Sequence, residues 1–184
     1  KNGSGKTTLL RMMATLTPPT TGVMKILGED RASQREVRGR LRLLGHDKQL
    51  YRSLTVMENL RLAAGIRGIT DQVTAADYRS ILDRLRLTHD QDRRLAELSE
   101  GMKKRTVLAR LMLGRPELIL LDEPHPTLDQ EGKEILNAMI SEWKQRGITI
   151  VLASHDHEQA LTHADRLLIL EEGCVSYDGP PGGG

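Results

Sequence analysis

The stretch KNGSGKTTLL, residues 1–10, decides the fold. Phosphate-binding loops read G-x-x-x-x-G-K-[ST], and Gly5, Lys6 and Thr7 supply the last three letters. On this reading the first glycine falls just before Lys1. Gly3 and Gly5 leave the backbone free to curl successive N–H groups around an anion. The helix predicted over KTTLLRMMATL (6–16) points its N-terminus at the same anion. Lys6 brings a positive charge to the β- and γ-phosphates, and Thr7 brings a hydroxyl to Mg²⁺. Asn2, Ser4 and Thr8 complete the candidate phosphate-binding loop. A glycine-rich turn with a chance lysine is the plainer alternative. The amphipathic helix that follows at once weighs against it.

A second motif lies far along the chain. LILLDEP (118–124) starts with four apolar residues in a row, as expected of a strand covered on both faces. Such a strand delivers Asp122 to the carboxyl edge of a sheet, where α/β folds bind ligands. Asp122 can hold Mg²⁺ together with Thr7, and Glu123 can poise a water for attack on the γ-phosphate.

Between and beyond these motifs the pattern alternates. TPPTTG (17–22) ends the first helix, VMKILG (23–28) reads as a strand, and the charge run over 30–40 reads as a solvated helix or loop. LRLLGH (41–46) is another strand. Thr55 and Glu58 form a capping box ahead of VMENLRLAAGI. Tyr78, Ile81, Leu82 and Leu85 mark a helix over 74–87, and Val107, Leu108, Leu111 and Met112 mark one over 100–113. A helix over 130–146 carries Ile135, Leu136, Met139, Ile140 and Trp143 on one side. ITIVLA (148–153), a short helix, RLLIL (166–170) and CVSYD (174–178) complete the order. The expectation is a single α/β domain, with a core from 1–54 and 114–184 and a helical subdomain over 55–113.

Composition narrows the function classes. The 184 residues suit one domain with a small subdomain, and 38% hydrophobic against 28% charged is a soluble balance with room for a core. A formal charge of +2 gives no argument for nucleic acid, and three Tyr, one Trp and no Phe leave little for base stacking. Cys174 is the single cysteine, so no disulfide closes within the chain; it fits a reducing compartment and reads as a small buried hydrophobe. No apolar run approaches the roughly 18 residues of a membrane helix, so any membrane served is spanned by another chain.

LSEGMKKR (98–105) then gives a family. With it the chain resembles the nucleotide-binding subunits of ATP-binding cassette (ABC) transporters, whose signature reads L-S-G-G-Q-x-Q-R. Leu98, Ser99, Gly101 and Arg105 match, while Glu100, Met102 and Lys104 depart. Asp129 closes the segment that matches the family's D-loop, and His155 stands at its switch histidine. The resemblance implies a P-loop NTPase (RecA-like) core with a mainly parallel sheet, plus an inserted helical subdomain. It implies ATP and Mg²⁺ as ligands, and His155 near the γ-phosphate, helping to hold the water and Glu123. It also implies a head-to-tail homodimer or heterodimer, in which Ser99 and Gly101 of one subunit meet ATP on the P-loop of the other. Ser99 suits this as the N-cap of a helix whose start attracts anions. Membrane-spanning subunits on a separate chain, attachment to the cytoplasmic face of the cell membrane, and no nucleic-acid partner follow in the same way. A metal site from His155, His157 and His163 is the poorer idea, for no cysteine or carboxylate set completes it.

Departures and a subgroup complete the reading. The family's Q-loop glutamine position falls on Asp47, with Gln49 two residues on; an aspartate can still take an Mg²⁺-bound water, at shorter reach. Pro126 and Thr127 replace the commoner serine and alanine of the D-loop. The pattern G-H-x-x-x-L-Y-x-x-L-T-x-x-E-N-L over 45–60 is similar to the haem-exporter cassettes of cytochrome c maturation and related exporter cassettes. Family members carry an antiparallel sheet and a strand ahead of the P-loop, so residues 1–184 alone are expected to bind ATP weakly or not at all. Soluble relatives acting on DNA place a long coiled coil between P-loop and signature. Here Lys6 and Ser99 stand 93 positions apart without sustained heptads; a ribosome-associated cassette stays open. A hydrolysis-impaired regulatory cassette is suggested by Asp47 and Glu100 and opposed by intact Lys6, Asp122, Glu123 and His155.

Overall fold

The computed structural model describes residues 3–30, 34–45, 50–126, 128–155, 161–162 and 164–181. At its centre lies a parallel sheet of β1 (Leu41–Leu44), β2 (Leu118–Asp122) and β3 (Thr149–Ala153), in that order. Leu41 faces Leu118 and Asp122 faces Ala153, so the strands run in register to one edge. Every residue of the central strand is buried, as its unbroken apolar run predicts.

Strand alternation divides the core into two. Leu118 and Leu120 point to a smaller cluster with Leu10, Ala14, Ile26, Val37 and Leu41. This side is covered by α1 (Lys6–Met13) and α2 (Gln34–Arg40). Ile119 and Leu121 point to the larger cluster, built from α3 (Val56–Ile66), α4 (Ala75–Arg84), α5 (Glu100–Leu111) and α6 (Gln130–Gln145). The predicted stripe of α6 is the buried one: Leu136, Met139, Ile140 and Trp143 all lie in this cluster.

Local chemistry sets the helix ends. Thr55 Oγ1 accepts from Glu58 N at 3.1 Å while Thr55 N donates to Glu58 Oε2 at 2.8 Å, the reciprocal cap read from the sequence. Thr74 and Asp77 repeat the device at α4. That helix ends at Arg84, because Arg86 takes a left-handed φ of 53°.

A cation lies inside this apolar architecture. Arg42 on β1 is fully buried and donates to the carbonyls of Gly39, Leu41 and Leu113. Gly39 lies in the last turn of α2 and Leu113 just past the end of α5. Helix C-termini favour a cation, so carbonyl dipoles here do the work of a counter-ion. Burial still pushes the Arg42 guanidinium down to about 10.

Two expectations are corrected. VMKILG forms no strand: Ile26 and Glu29 exchange hydrogen bonds of 3.0 Å across a two-residue turn. Leu27 and Gly28 sit there at φ 53° and 80°, the conformation of a tight hairpin turn. β-propensity needs a neighbouring strand to act on, and among the described residues this stretch pairs only through the Ile26–Glu29 bridge. Cys174 is exposed rather than buried. It starts β5 (Cys174–Gly179), which pairs antiparallel with β4 (Leu167–Glu171) in a two-stranded ribbon whose residues are largely solvent-facing. Half of the segment 154–165, where a short helix is expected, lies outside the described residues, and the histidines at 157 and 163 are among those outside.

Candidate nucleotide site

Gly3 and Gly5 stand at φ 81° and 100°, a region that costs other residues strain. Gly5 is the N-cap of α1; no side chain caps the helix and no acid sits in its first turn. The leading N–H groups of α1 therefore present a positive end with no built-in anion. Lys6 Nζ lies 3.5 Å from Ser4 Oγ, and Ser4 itself is buried.

A cleft of about 400 Å³ joins this loop to the sheet edge. Residues 3–8 line one side, and Asp122, Glu123, Pro126 and His155 line the other. The sheet register explains the meeting. Asp122 pairs with Ala153, and Glu123 N donates to Ala153 O at 2.9 Å. Glu123 and His155 thus leave neighbouring strands at the same edge.

His155 Nδ1 and Glu123 Oε2 share a hydrogen bond of 2.8 Å. The Glu123 side chain is 16% exposed against 59% for His155. Glu123 is also held at φ 48°, a left-handed setting that a non-glycine residue seldom adopts outside functional or tightly determined sites.

The donor set fits Mg²⁺. Thr7 and Asp122 bring hard oxygen donors into one cleft. Among the described residues no group of three or more His, Cys, Asp and Glu could hold a metal by itself. Mg²⁺ in nucleotide sites is held in this sparse way, with phosphate oxygens and water filling the remaining positions.

Ser99 and Gly101 do not line the cleft. Ser99 caps α5, its Oγ accepting from Met102 N at 3.2 Å. Asp129 caps α6, its Oδ1 accepting from Gly132 N at 2.9 Å. Asn2 and Asp47 lie outside the described residues, as do Gln49 and Thr127.

Three features escaped the sequence reading. Pro126, noted there only as a departure, forms part of the cleft wall. His125 is buried and bonds Asn137 Oδ1 at 3.0 Å, tying the loop after Glu123 to α6. The turn between β4 and β5 approaches the P-loop: a Cβ on Gly5 would lie 3.6 Å from Gly173 Cα. No local pattern signals any of the three; only Gly5, already marked as a glycine, hinted at a close approach.

With an anion-accepting helix end on one side of the cleft and carboxylates on the other, the chain has the arrangement of P-loop nucleotide-binding proteins. Residues 1–126 match the family described as ABC transporter, and the chain belongs to that family. The family's ATP-binding domains are ATPases coupled to transport. The chain is 35% identical to a sulfate/thiosulfate import ATP-binding protein of Rhizobium meliloti, covering 98% of this chain and 53% of the relative. It is 34% identical to a Nod factor export ATP-binding protein of Burkholderia lata, covering 98% and 60%. The chain thus spans a little over half the length of these curated relatives. A solved structure described as the ATP binding subunit of an ABC transporter superposes with a TM-score of 0.86 at 29% identity, over 98% of this chain and 76% of that one. No helix among the described residues is long and apolar enough to cross a membrane.

Proposed function

We propose that this chain binds and hydrolyses ATP to drive an ABC transporter. The observation that carries the reading is the Glu123–His155 pair facing the P-loop across one cleft. Backbone N–H groups of residues 3–8 and the Lys6 ammonium hold the triphosphate. Thr7 and Asp122 would hold Mg²⁺, which would supply positive charge to the phosphate oxygens. Glu123 orients the attacking water and receives its proton. His155 occupies Oε2 and so leaves Oε1 for that water.

Ser99 and Gly101 stand outside the cleft of their own chain, and this supports completion of the site by a second subunit, head to tail. That subunit is a second copy or a homologous chain. Membrane-spanning subunits are a separate chain, met through residues 45–66 at the cytoplasmic face. The finer reading as a haem exporter is supported by the 45–60 pattern alone. Much of that pattern shapes the entry to α3: Asn59 accepts from Tyr51 N at 2.9 Å and donates to the carbonyls of Tyr51, Leu54 and Thr55. Those residues thus have a folding role whatever the cargo, and similar relatives are named for import as well as export.

The test is light scattering on the full-length protein carrying Glu123→Gln. Mg-ATP should convert monomer to dimer, and Lys6→Ala should abolish the conversion. A chain that binds ATP yet stays monomeric with every candidate partner subunit overturns the reading.

A further inference from the structure

We propose that the Glu172–Gly173 turn is a positioning element for the nucleotide site: it stands against Gly5 and holds the P-loop in the curl that a phosphate requires. The functional consequence rests on the nucleotide reading; the contact itself does not.

The P-loop keeps a shape few residues can take. Gly3 and Gly5 both have φ in the left-handed region, and Gly5 begins α1 without a side-chain cap. N–H groups that are set before a phosphate arrives need no ordering on binding, which favours affinity. The cleft side of the loop has to stay open for the anion, so support has to come from elsewhere. The turn between β4 and β5 supplies it. A Cβ on Gly5 would lie 3.6 Å from Gly173 Cα, a van der Waals contact, while Gly173 is not among the residues that line the cleft. Two backbones thus meet with a glycine on each side, away from the space the nucleotide fills.

The turn is built to hold its shape. Glu172 and Gly173 stand at φ 50° and 82°. A two-residue turn with both central residues left-handed matches the twist of the strands it joins. Glu171 and Cys174 pair directly on either side of it. Away from the turn, Arg166 grips Asp178 with two hydrogen bonds, Nε to Oδ1 at 2.6 Å and Nη2 to Oδ2 at 2.7 Å. Such a fork fixes direction as well as distance. Lys144 on α6 donates to Asp165 at 2.9 Å and so ties the base of the ribbon to the helix. Leu168 and Val175 are exposed on the ribbon, so core packing accounts poorly for its place. Anchored at its base and touching Gly5 at its tip, the ribbon is a strut for the P-loop.

The test compares two left-handed glycines in the full-length protein. Gly173 and Gly147 have φ 82° and 73°, and a Cβ on either would meet nothing within 4 Å. Valine at either site therefore brings similar backbone strain without a clash. Gly173→Val and Gly147→Val should each lower Tm by roughly 2–8 °C. Only Gly173→Val should weaken fluorescent-ATP binding, about 3- to 10-fold. It should also speed amide hydrogen exchange at residues 5–7 in the nucleotide-free protein. Gly173→Asn should return both readouts to near the parent's, because asparagine tolerates a left-handed backbone. Gly173→Val protein whose ATP binding and P-loop exchange match those of Gly147→Val overturns the positioning role. If a valine variant fails to fold, alanine at both positions makes the same comparison with milder strain. A parent that binds no ATP sinks the nucleotide reading instead, and exchange at residues 5–7 then decides the proposal by itself.

Discussion

The two faces of the central sheet differ in what they are built for. On the side of α3 to α6, Leu60, Leu82, Leu85, Leu87 and Leu95 are entirely buried in one continuous cluster. On the P-loop side the cluster is smaller, and residues with positive φ gather. Gly3, Gly5 and Glu123 all have positive φ there, and they line the cleft. The comparison teaches that stability and chemistry are kept apart. The helical face supplies apolar burial, and the nucleotide face keeps polar groups and unfilled helix ends that a ligand can satisfy.

The strongest challenge to this division is Glu123→Gln. ATP turnover should fall about 100- to 10,000-fold, as expected on losing a general base, while melting stays near that of the parent. A large loss of stability would show that the nucleotide face also holds the fold together. Next comes a paired truncation. Leu82→Ala, in the dense cluster, should cost about 2–5 kcal/mol in chemical denaturation. Leu10→Ala, in the thin one, should fall at the lower end of that range and weaken ATP binding as well, because Leu10 anchors the helix behind the P-loop. Equal stability costs with unchanged binding would erase the distinction.

The smallest effect concerns the seam between the helices. Arg84 at the end of α4 bonds Glu142 on α6, and its guanidinium holds the Glu142 carboxyl below the usual carboxylate range. A carboxyl whose folded pKa is depressed adds stability in full above its unfolded pKa, and loses it as pH falls through the folded one. The pair is about one-third exposed, so Glu142→Gln should cost under about 1 kcal/mol at pH 7. The difference from the parent should vanish on acidification below the carboxylate range. A difference that persists in acid would mean the glutamate acts by packing.

The elements legible in the sequence are those whose cause is local. LILLD announces a covered strand, Thr55 and Glu58 cap their helix across three residues, and the stripe of α6 follows its 3.6-residue period. The P-loop residues 3–8, Asp122, Glu123 and His155 were each marked by a short motif, and the structure gathers them in one cleft. The failures are as instructive. VMKILG has the composition of a strand but pairs only across its own turn, and Cys174 has an apolar character that its ribbon leaves in solvent. Arg42 gives no sign within LRLL that three carbonyls await it, for those carbonyls come from residues 39, 41 and 113.

The sequence by itself marked the residues proposed to bind phosphate, hold Mg²⁺ and activate water, because those capacities belong to side chains and to short runs of backbone. Tertiary structure alone decided which of them meet. The in-register pairing of β2 with β3 brings Glu123 to His155, and the packing of α5 against α6 lays Asp129 beside Gly101. Pairing and packing depend on groups dozens of residues apart, and no window along the chain contains both partners.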